Sequence, residues 1–443
     1  MAASISEKLR ILVFDRALGI ERHEYAAVAW SFAYFFCVLS SYYMLRPVRE
    51  TMAVGSGPDT IPFLFIGTFV AMLVATPIFG WVASRYPRRV FLPWVYLFFV
   101  SNILIFWVIF SIAFDRQQDY VWLGRVFFVW LSVFNLYVVS VFWSFMADIY
   151  TREEGRRLFG VIASGGSIGA LLGGTATSAL VVTIGFRNLL PIAAVLLLFA
   201  VLCISRLRKW VVKEHEQEVA ETVESEKPLG GNPFAGITHA FSARYFTGIV
   251  VSSVIASLLG TALYMFMAQL VNQEIPNPDQ QTKFFSNINV ATNALTLIGQ
   301  MFIVRHVVQR LGIGRALAVM PIFSIVGFAL LALDPVLAVV AVLTVARRAL
   351  GFAFSKTGTD MLYSVVTPEE KYKTKNFIDT AVYRGGDVIG TWAIKLMPII
   401  GIAGISAISI AMVPFAVLWA IVSLWLGREY KRRARELRDS GVV

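Results

Sequence analysis

"DIYTREEGRRLFGVIASGGSIG" runs from Asp148 to Gly169, and "DMLYSVVTPEEKYKTKNFIDTAVYRGGDVIG" runs from Asp360 to Gly390. Each passes from an acid and a tyrosine (Asp148 and Tyr150; Asp360 and Tyr363) to T-x-E-E, then to a basic run. An apolar segment with a glycine cluster follows in both: Gly165-Gly166-Ser-Ile-Gly169 in the first, Gly385-Gly386-Asp387-Val-Ile-Gly390 in the second. Thr151 and Thr367 stand 216 positions apart in a chain of 443 residues, about half its length. A weaker echo relates Arg85 to Pro93 with the stretch from Arg305 to Pro321. Repetition on this scale predicts one design used twice.

The composition says what is repeated. The chain is 57% hydrophobic and only 15% charged, with mean hydropathy +0.69, which no ordinary soluble domain approaches. Segments long enough to cross ~30 Å of hydrocarbon, about 20 residues each, recur twelve times: 25–54, 61–84, 90–112, 119–147, 157–183, 187–207, 245–271, 284–304, 315–333, 337–364, 376–400 and 402–427. The expected fold is an all-α polytopic membrane protein of twelve transmembrane helices in two six-helix halves, 24–207 and 245–427. The charged, then Pro/Gly-rich stretch 208–244 reads as a linker, 1–23 as an amphipathic helix on the bilayer surface with no cleaved signal peptide, and 428–443 as a basic tail.

A formal charge of +11 raises the possibility of nucleic acid, but the basic residues sort by side. Of 39 Lys and Arg, 28 lie in the termini and in one set of alternate loops, and only Arg116, Arg187 and Lys283 lie in the opposite set. The positive-inside rule accounts for this and places both termini in the cytoplasm. Nucleic acid is not an expected partner. The two cysteines, Cys37 and Cys203, sit within apolar segments, and His23, His215, His239 and His306 sit in loops or at helix ends. No metal site, cofactor motif, nucleophile cluster or ATPase loop is present, so the sequence predicts no enzyme and no cofactor. Transport must then draw on gradients or exchange.

Charges inside the spans carry the functional signal: Arg46, Arg49, Glu50, Arg125, Arg347, Arg348, Lys356, Asp360, Asp379, Arg384, Asp387 and Lys395. Each costs ~2.5–3.5 kcal/mol at a helix centre unless it meets a partner or water. Arg46, Arg49 and Glu50 share a helix face at i, i+3 and i+4 beside a kink expected at Pro47. Lys356 with Asp360, and Arg384 with Asp387, have pairing distance along a helix. Arg347 and Arg348 fall ~15–20 Å into their span. Lys395, nearer the outer end, is expected to snorkel. Tyr42 and Tyr43 stand beside the first arginines as stacking candidates, whereas Phe142, Trp143 and Phe145 read as packing residues. The glycines of the fifth span read as close helix packing, with a gating role as the alternative.

Cations held by partial acidic compensation suit a polyanion, because arginine's planar fork binds phosphate or carboxylate bidentately and lysine adds a point charge. Six helices, a linker and six related helices resemble the major facilitator superfamily, whose halves rock about a central site. Within it, "YYMLRPVRETMAV" (Tyr42 to Val54) resembles the first-helix signature L-R-x-x-K-D of the ATP/ADP translocases of plastids and intracellular bacteria, with Arg49 for lysine and Glu50 for aspartate. Thr367 to Asp387 is similar to their lysine-rich loop before an I-D pair, here Ile378-Asp379, and Asp360-Met-Leu-Tyr363 is similar to their E-M-x-Y. The resemblance implies nucleotide exchange. It departs where the family's glycine-lysine-serine step aligns its lysine with Asp387, which leaves room for another phosphate-bearing substrate or for proton coupling.

The resulting expectation is an inner-membrane secondary transporter, working as a monomer by alternating access on a small anionic substrate, with ATP/ADP-type exchange favoured. The alternative is a proton-coupled carrier of another metabolite or drug. Arg46, Arg49, Arg347, Lys356 and Arg384 are the expected anion contacts, and Glu50, Asp360 and Asp387 the pairing or coupling acids.

Overall fold

The computed structural model describes residues 20–21, 23–85, 88–115, 120–214, 244–300, 304–352, 356–366, 374–375 and 378–439. The predicted amphipathic N-terminus and most of the 208–244 linker lie outside these residues, as do the side chains of Lys356 and Asp379. Among the described residues the ordered structure is helical, with no strand.

Thirteen α-helices follow in order: α1 Tyr25–Gly55, α2 Ile61–Arg85, α3 Arg88–Asp115, α4 Val121–Ile149, α5 Arg152–Ile184, α6 Leu189–Glu214, α7 Arg244–Glu274, α8 Pro278–Ile298, α9 Val304–Leu333, α10 Leu337–Leu350, α11 Lys356–Leu362, α12 Tyr383–Leu396 and α13 Gly404–Asp439. Nine of them (α1 to α7, α9 and α13) are long and apolar enough to cross a membrane. The other three predicted spans are the polar ones. Helix α8 carries Gln280, Gln281, Lys283, Asn287, Asn289 and Asn293. Within the span expected at 337–364, α10 passes into a π turn at Gly351 and Phe352, and α11 begins at Lys356. The span expected at 376–400 opens with a π turn, Ile378–Val382, and closes with a 3-10 turn, Met397–Ile400, around the 14 residues of α12. These interrupted segments hold most of the intramembrane charges of the second repeat, and backbone that departs from a regular helix is tolerated there only where protein or water meets it.

Local chemistry sets the element ends. The T-x-x-E of the first repeat is a capping box: Thr151 Oγ1 accepts the Glu154 N–H at 3.3 Å, and the Glu154 carboxylate accepts the Thr151 N–H at 2.8 Å. Two otherwise orphaned donors are thus satisfied at the start of α5. Its far end is Gly185, whose φ of 79° suits a residue without a Cβ. Helix α1 continues across Pro47, where Thr51 Oγ1 donates to the Pro47 carbonyl at 3.2 Å.

Two compact units result, and each takes in a short segment from far along the chain. The first comprises Met1–Met52, Val70–Pro228 and Asn277–Val290. Its core is aromatic: Tyr34 donates to the Tyr96 hydroxyl at 2.6 Å, Tyr96 donates to the Val138 carbonyl at 2.9 Å, and Phe35 stacks on Phe142 at 4.1 Å between centroids. Phe142 is fully buried and Phe145 nearly so, as the packing reading requires. Helix α5 lies against α1 along a ladder of glycines. An added Cβ on Gly165 or Gly173 would stand 2.5 Å from the carbonyl oxygen of Phe32 or Ser40, and one on Gly169 would strike the carbonyl of Phe36. Near one end of this contact Arg157 grips Glu24 at 2.6 and 2.9 Å. The α8 segment is tied in by Thr51 to Thr282 at 2.8 Å, Ser286 to the Gly174 carbonyl at 2.6 Å, Ser178 to Asn287 at 2.6 Å, and the Phe186 N–H to Asp279 at 2.7 Å.

The second unit comprises Ala53–Phe69, Leu229–Pro276 and Ala291–Val443. The repeated glycine cluster performs the same work here. Gly386 and Gly390 seat α12 on α7, where a Cβ would come within 2.9 Å of the Ser257 side chain and 3.1 Å of Leu258 Cα. Helices α9 and α13 meet at paired glycines, a Cβ on Gly314 falling 3.0 Å from Gly427 Cα. Close helix packing therefore accounts for the glycine clusters of both repeats.

Candidate functional site

In the first unit the charged group lies on one stretch of α1. Glu50 is buried, 4% exposed, and takes the Arg49 guanidinium at 2.6 Å. Arg49 also donates to Ser132 Oγ at 3.3 Å and lies 4.8 Å from the centre of the Phe128 ring, so α4 positions it. Arg46 and Glu50 share a face of α1 and interact electrostatically, while the close ion pair is between the neighbours Arg49 and Glu50, with Arg49 turned toward Ser132 and Phe128 of α4. Arg46 has contacts of its own. It reaches the Tyr43 hydroxyl at 3.4 Å and lies 5.5 Å from that ring, and its Nε is buried with no hydrogen-bond partner. Tyr42 packs edge-on to Tyr43 at 5.3 Å.

The second unit has a matching group on α7, α10 and α12. Gly260, Leu263, Tyr264, Met267, Thr344, Arg347 and Arg348 line a small depression. Arg347 donates to the Ala256 carbonyl of α7, a reach made possible by Gly260, where a Cβ would stand 2.7 Å from Nη1. The Arg347 Nε and the Thr344 hydroxyl, both at this depression, are buried without hydrogen-bond partners. On α12, Arg384 approaches Asp387 at 3.8 Å, and Ser257 of α7 donates to Asp387 Oδ1. Asp387 and Tyr383 also interact electrostatically with Arg347.

Of the eight predicted site residues, Arg49 and Glu50 are brought together, and so are Arg347, Arg384 and Asp387. Asp360 takes Lys375 Nζ at 2.7 Å and is 41% exposed, and the expected partner Lys356 has its side chain outside the described residues. Lys395 donates to the carbonyl of exposed Asp59 at 2.9 Å and sits 4.7 Å from the Phe63 ring. Arg125 lies 4.4 Å from the Trp122 ring. Sequence reading missed Ser132, Phe128, Ser257, Gly260, Tyr264 and Thr344. They are uncharged, all but Thr344 lie on other helices than the charged residues they accompany, and their only signal is being polar, aromatic or small inside an apolar span.

Both groups carry more positive than negative charge, two arginines against one carboxylate on α1 and three against one at α10 and α12. Unfilled guanidinium donors in such surroundings suit a negatively charged ligand with several acceptor oxygens. A metal is a poor fit among the described residues. His23, Glu24 and Glu154 cluster closely, but Glu24 is held by Arg157 and Glu154 by the α5 cap.

Comparison with known proteins adds the fold's kinship. The chain is similar over 92% of its length to the crystal structure of the nucleoside transporter NupG, covering 99% of that chain, with TM-score 0.61 at 15% identity. It is similar to a bacterial homologue of the iron transporter ferroportin in its inward-facing state, with TM-score 0.61 at 12% identity, 92% of this chain and 98% of that one being covered. The xylose transporter XylE from E. coli, inward open, gives TM-score 0.57 at 13% identity, with 91% and 95% covered. At such identities the likeness speaks for the fold alone. No curated protein matches the sequence. The profile of the Major Facilitator Superfamily matches residues 30–391, most of the chain, and with the all-helical architecture and repeated halves this shows that the protein belongs to that superfamily.

Proposed function

We propose that this chain is a secondary transporter of an anionic, phosphate-bearing metabolite, and that nucleotide exchange of the ATP/ADP type is its activity. The observation that carries the reading is that two of the expected anion contacts, Arg46 on α1 and Arg347 on α10, have a buried Nε donor without a hydrogen-bond partner, as Arg125 and Arg433 outside the site also do. A buried guanidinium left short of acceptors is costly, and a phosphate group supplies oxygens in the geometry its fork requires. Arg49 and Arg384, each already beside a carboxylate, tune the field and complete the contact. Lys356 adds a further cation. Tyr43, Tyr264 and Tyr383 offer ring faces to a base or sugar. The similarity of Tyr42 to Val54 and of Thr367 to Asp387 to the ATP/ADP translocases supports a nucleotide. In this reading the bundles 24–207 and 245–427 alternate as monomeric halves in the inner membrane, with both termini cytoplasmic.

Liposomes loaded with unlabelled ADP and presented with labelled ATP test the proposal. Uptake that depends on internal nucleotide supports exchange, and its absence from a folded, inserted protein defeats it. Asp387 favours a second reading. It is held by Ser257 as well as by Arg384, and a carboxylate with a neutral donor at hand can gain and lose a proton without losing its place. If protons drive transport, uptake follows an imposed pH gradient and Asp387→Asn abolishes that dependence. If exchange operates, Asp387→Asn leaves the requirement for internal nucleotide intact.

A further inference from the structure

Helix α13 does not end where its apolar surface ends. Its outward residues are apolar through Ile421, Leu424 and Trp425, all exposed, and one turn later the same helix exposes Arg428, Lys431, Arg432, Arg435 and Arg438. Spacings of three and four put these five on one face. The opposite face stays docked on the second unit. Tyr430 and Ala434 pack on the buried cluster of Tyr245, Leu362 and Tyr363, and Arg433 lies over the Tyr245 ring at 4.5 Å. The basic turns are therefore held in place. At Gly314 and Gly427 helices α9 and α13 nearly touch, which brings exposed Arg315 to the same end of the unit as Arg428.

We infer that this face is a docking surface for anionic lipid headgroups in the leaflet at its end of the protein. Trp425 marks the level, since tryptophan favours the boundary between hydrocarbon and headgroups. Arg428 and Lys431 follow within ~5–9 Å at 1.5 Å per residue, which is headgroup depth for a polar zone of about 5–7 Å per leaflet. Arg435 and Arg438 stand further out, within about two Debye lengths of ~8 Å at physiological salt. Arg432 is partly neutralised by Glu429 at 2.5 Å and Glu436 at 3.8 Å. Arg428, Lys431 and Arg435 enter no ion pair among the described residues and are fully available to phosphate. Charge complementarity and continuity with a membrane-spanning helix select lipid over a soluble acidic partner.

The test uses the full-length protein in nanodiscs of phosphatidylcholine alone or with added phosphatidylglycerol as the anionic lipid. Amide exchange is followed in peptides covering 428–439. Each basic contact to an anionic surface is worth roughly fivefold, so exchange of these turns is expected to slow at least about tenfold in the anionic discs and to recover in high salt. In the triple variant Arg428→Gln, Lys431→Gln, Arg435→Gln the lipid dependence is lost. Unchanged exchange of the peptides around Gly314 and Gly427 certifies that the α9/α13 crossing is intact. Equal exchange of the wild type in the two lipids overturns the inference, and so does slowing that survives the triple variant. Slowing produced in phosphatidylcholine discs by inorganic phosphate or by an acidic peptide also overturns it, by assigning the face to a soluble anion.

Discussion

Gly173→Ala adds one methyl group at the tightest kind of helix contact in the first unit. The new carbon would lie 2.5 Å from the Ser40 carbonyl oxygen and 2.8 Å from Ser40 Cα, where ordinary contacts begin at 3.4 Å. Both are backbone atoms, so α1 and α5 must part locally by about 1 Å. Overpacking of this kind costs ~1–3 kcal/mol. The hydrogen bond from Ser40 Oγ to the Gly169 carbonyl, 3.0 Å long, stretches out of range with it, a further loss of ~0.5–1.5 kcal/mol. Alanine returns ~1 kcal/mol as the better helix former. The expected balance is a destabilisation of ~0.5–3.5 kcal/mol. Gly160→Ala, on the same helix with nothing within 4 Å, keeps only the gain. A thiol-reactive fluorophore that reports Cys37 and buried Cys203 follows thermal unfolding in detergent. The variants are compared at one heating rate because such transitions are irreversible. At ~2–4 °C per kcal/mol for large domains, Gly173→Ala should melt several degrees below Gly160→Ala. A midpoint equal to or above that of the control would refute the close-approach argument for the whole glycine ladder.

Arg46→Ala and Arg347→Ala should each weaken ADP binding by ~10–100-fold, the worth of a charge-assisted hydrogen bond, as read by titration calorimetry; unaltered affinity in both counts against a basic site. Gly260→Ala should push the Arg347 guanidinium off the Ala256 carbonyl and lower ADP affinity while the melting midpoint holds, and affinity equal to the wild type would show that Gly260 does not govern that reach. Glu50→Gln leaves Arg49 without its buried counter-charge and should destabilise by ~3 kcal/mol or more, visible in the same thiol assay. A wild-type midpoint would mean that Ser132 and Phe128 suffice to hold Arg49.

What the sequence made legible was local or periodic. Apolar runs announced the helices, and the repeated glycine clusters announced a shared packing device, each written within a few tens of residues. What it hid was distant or neutral. Arg49 meets Ser132 across 83 positions and Asp387 meets Ser257 across 130, and no spacing rule within one helix reaches so far. The i, i+4 spacing that joined Arg46 to Glu50 gave no sign of the closer pair of neighbours, Arg49 with Glu50, or of the Phe128 ring and Ser132 hydroxyl on α4 that meet Arg49. The π and 3-10 turns beside α10 and α12 were hidden for a related reason. A hydropathy count registers that charges interrupt an apolar run, but not that the helical hydrogen-bond pattern changes beside them.

The placement of Asn277–Val290 within the first unit bears on how the protein is made. Ser178 and the Gly174 carbonyl leave the ribosome about a hundred residues before Asn287 and Ser286 exist to meet them. During that interval the Gly174 carbonyl keeps its helical hydrogen bond within α5, and what is missing is the packing partner. Assembly of the first unit is therefore not finished when its own six helices have been synthesised, but awaits a segment encoded beyond the linker. A gene cut at the linker would yield a first fragment missing one wall, and stable co-expression of the two pieces would depend on the second being present while the first is still in the translocon.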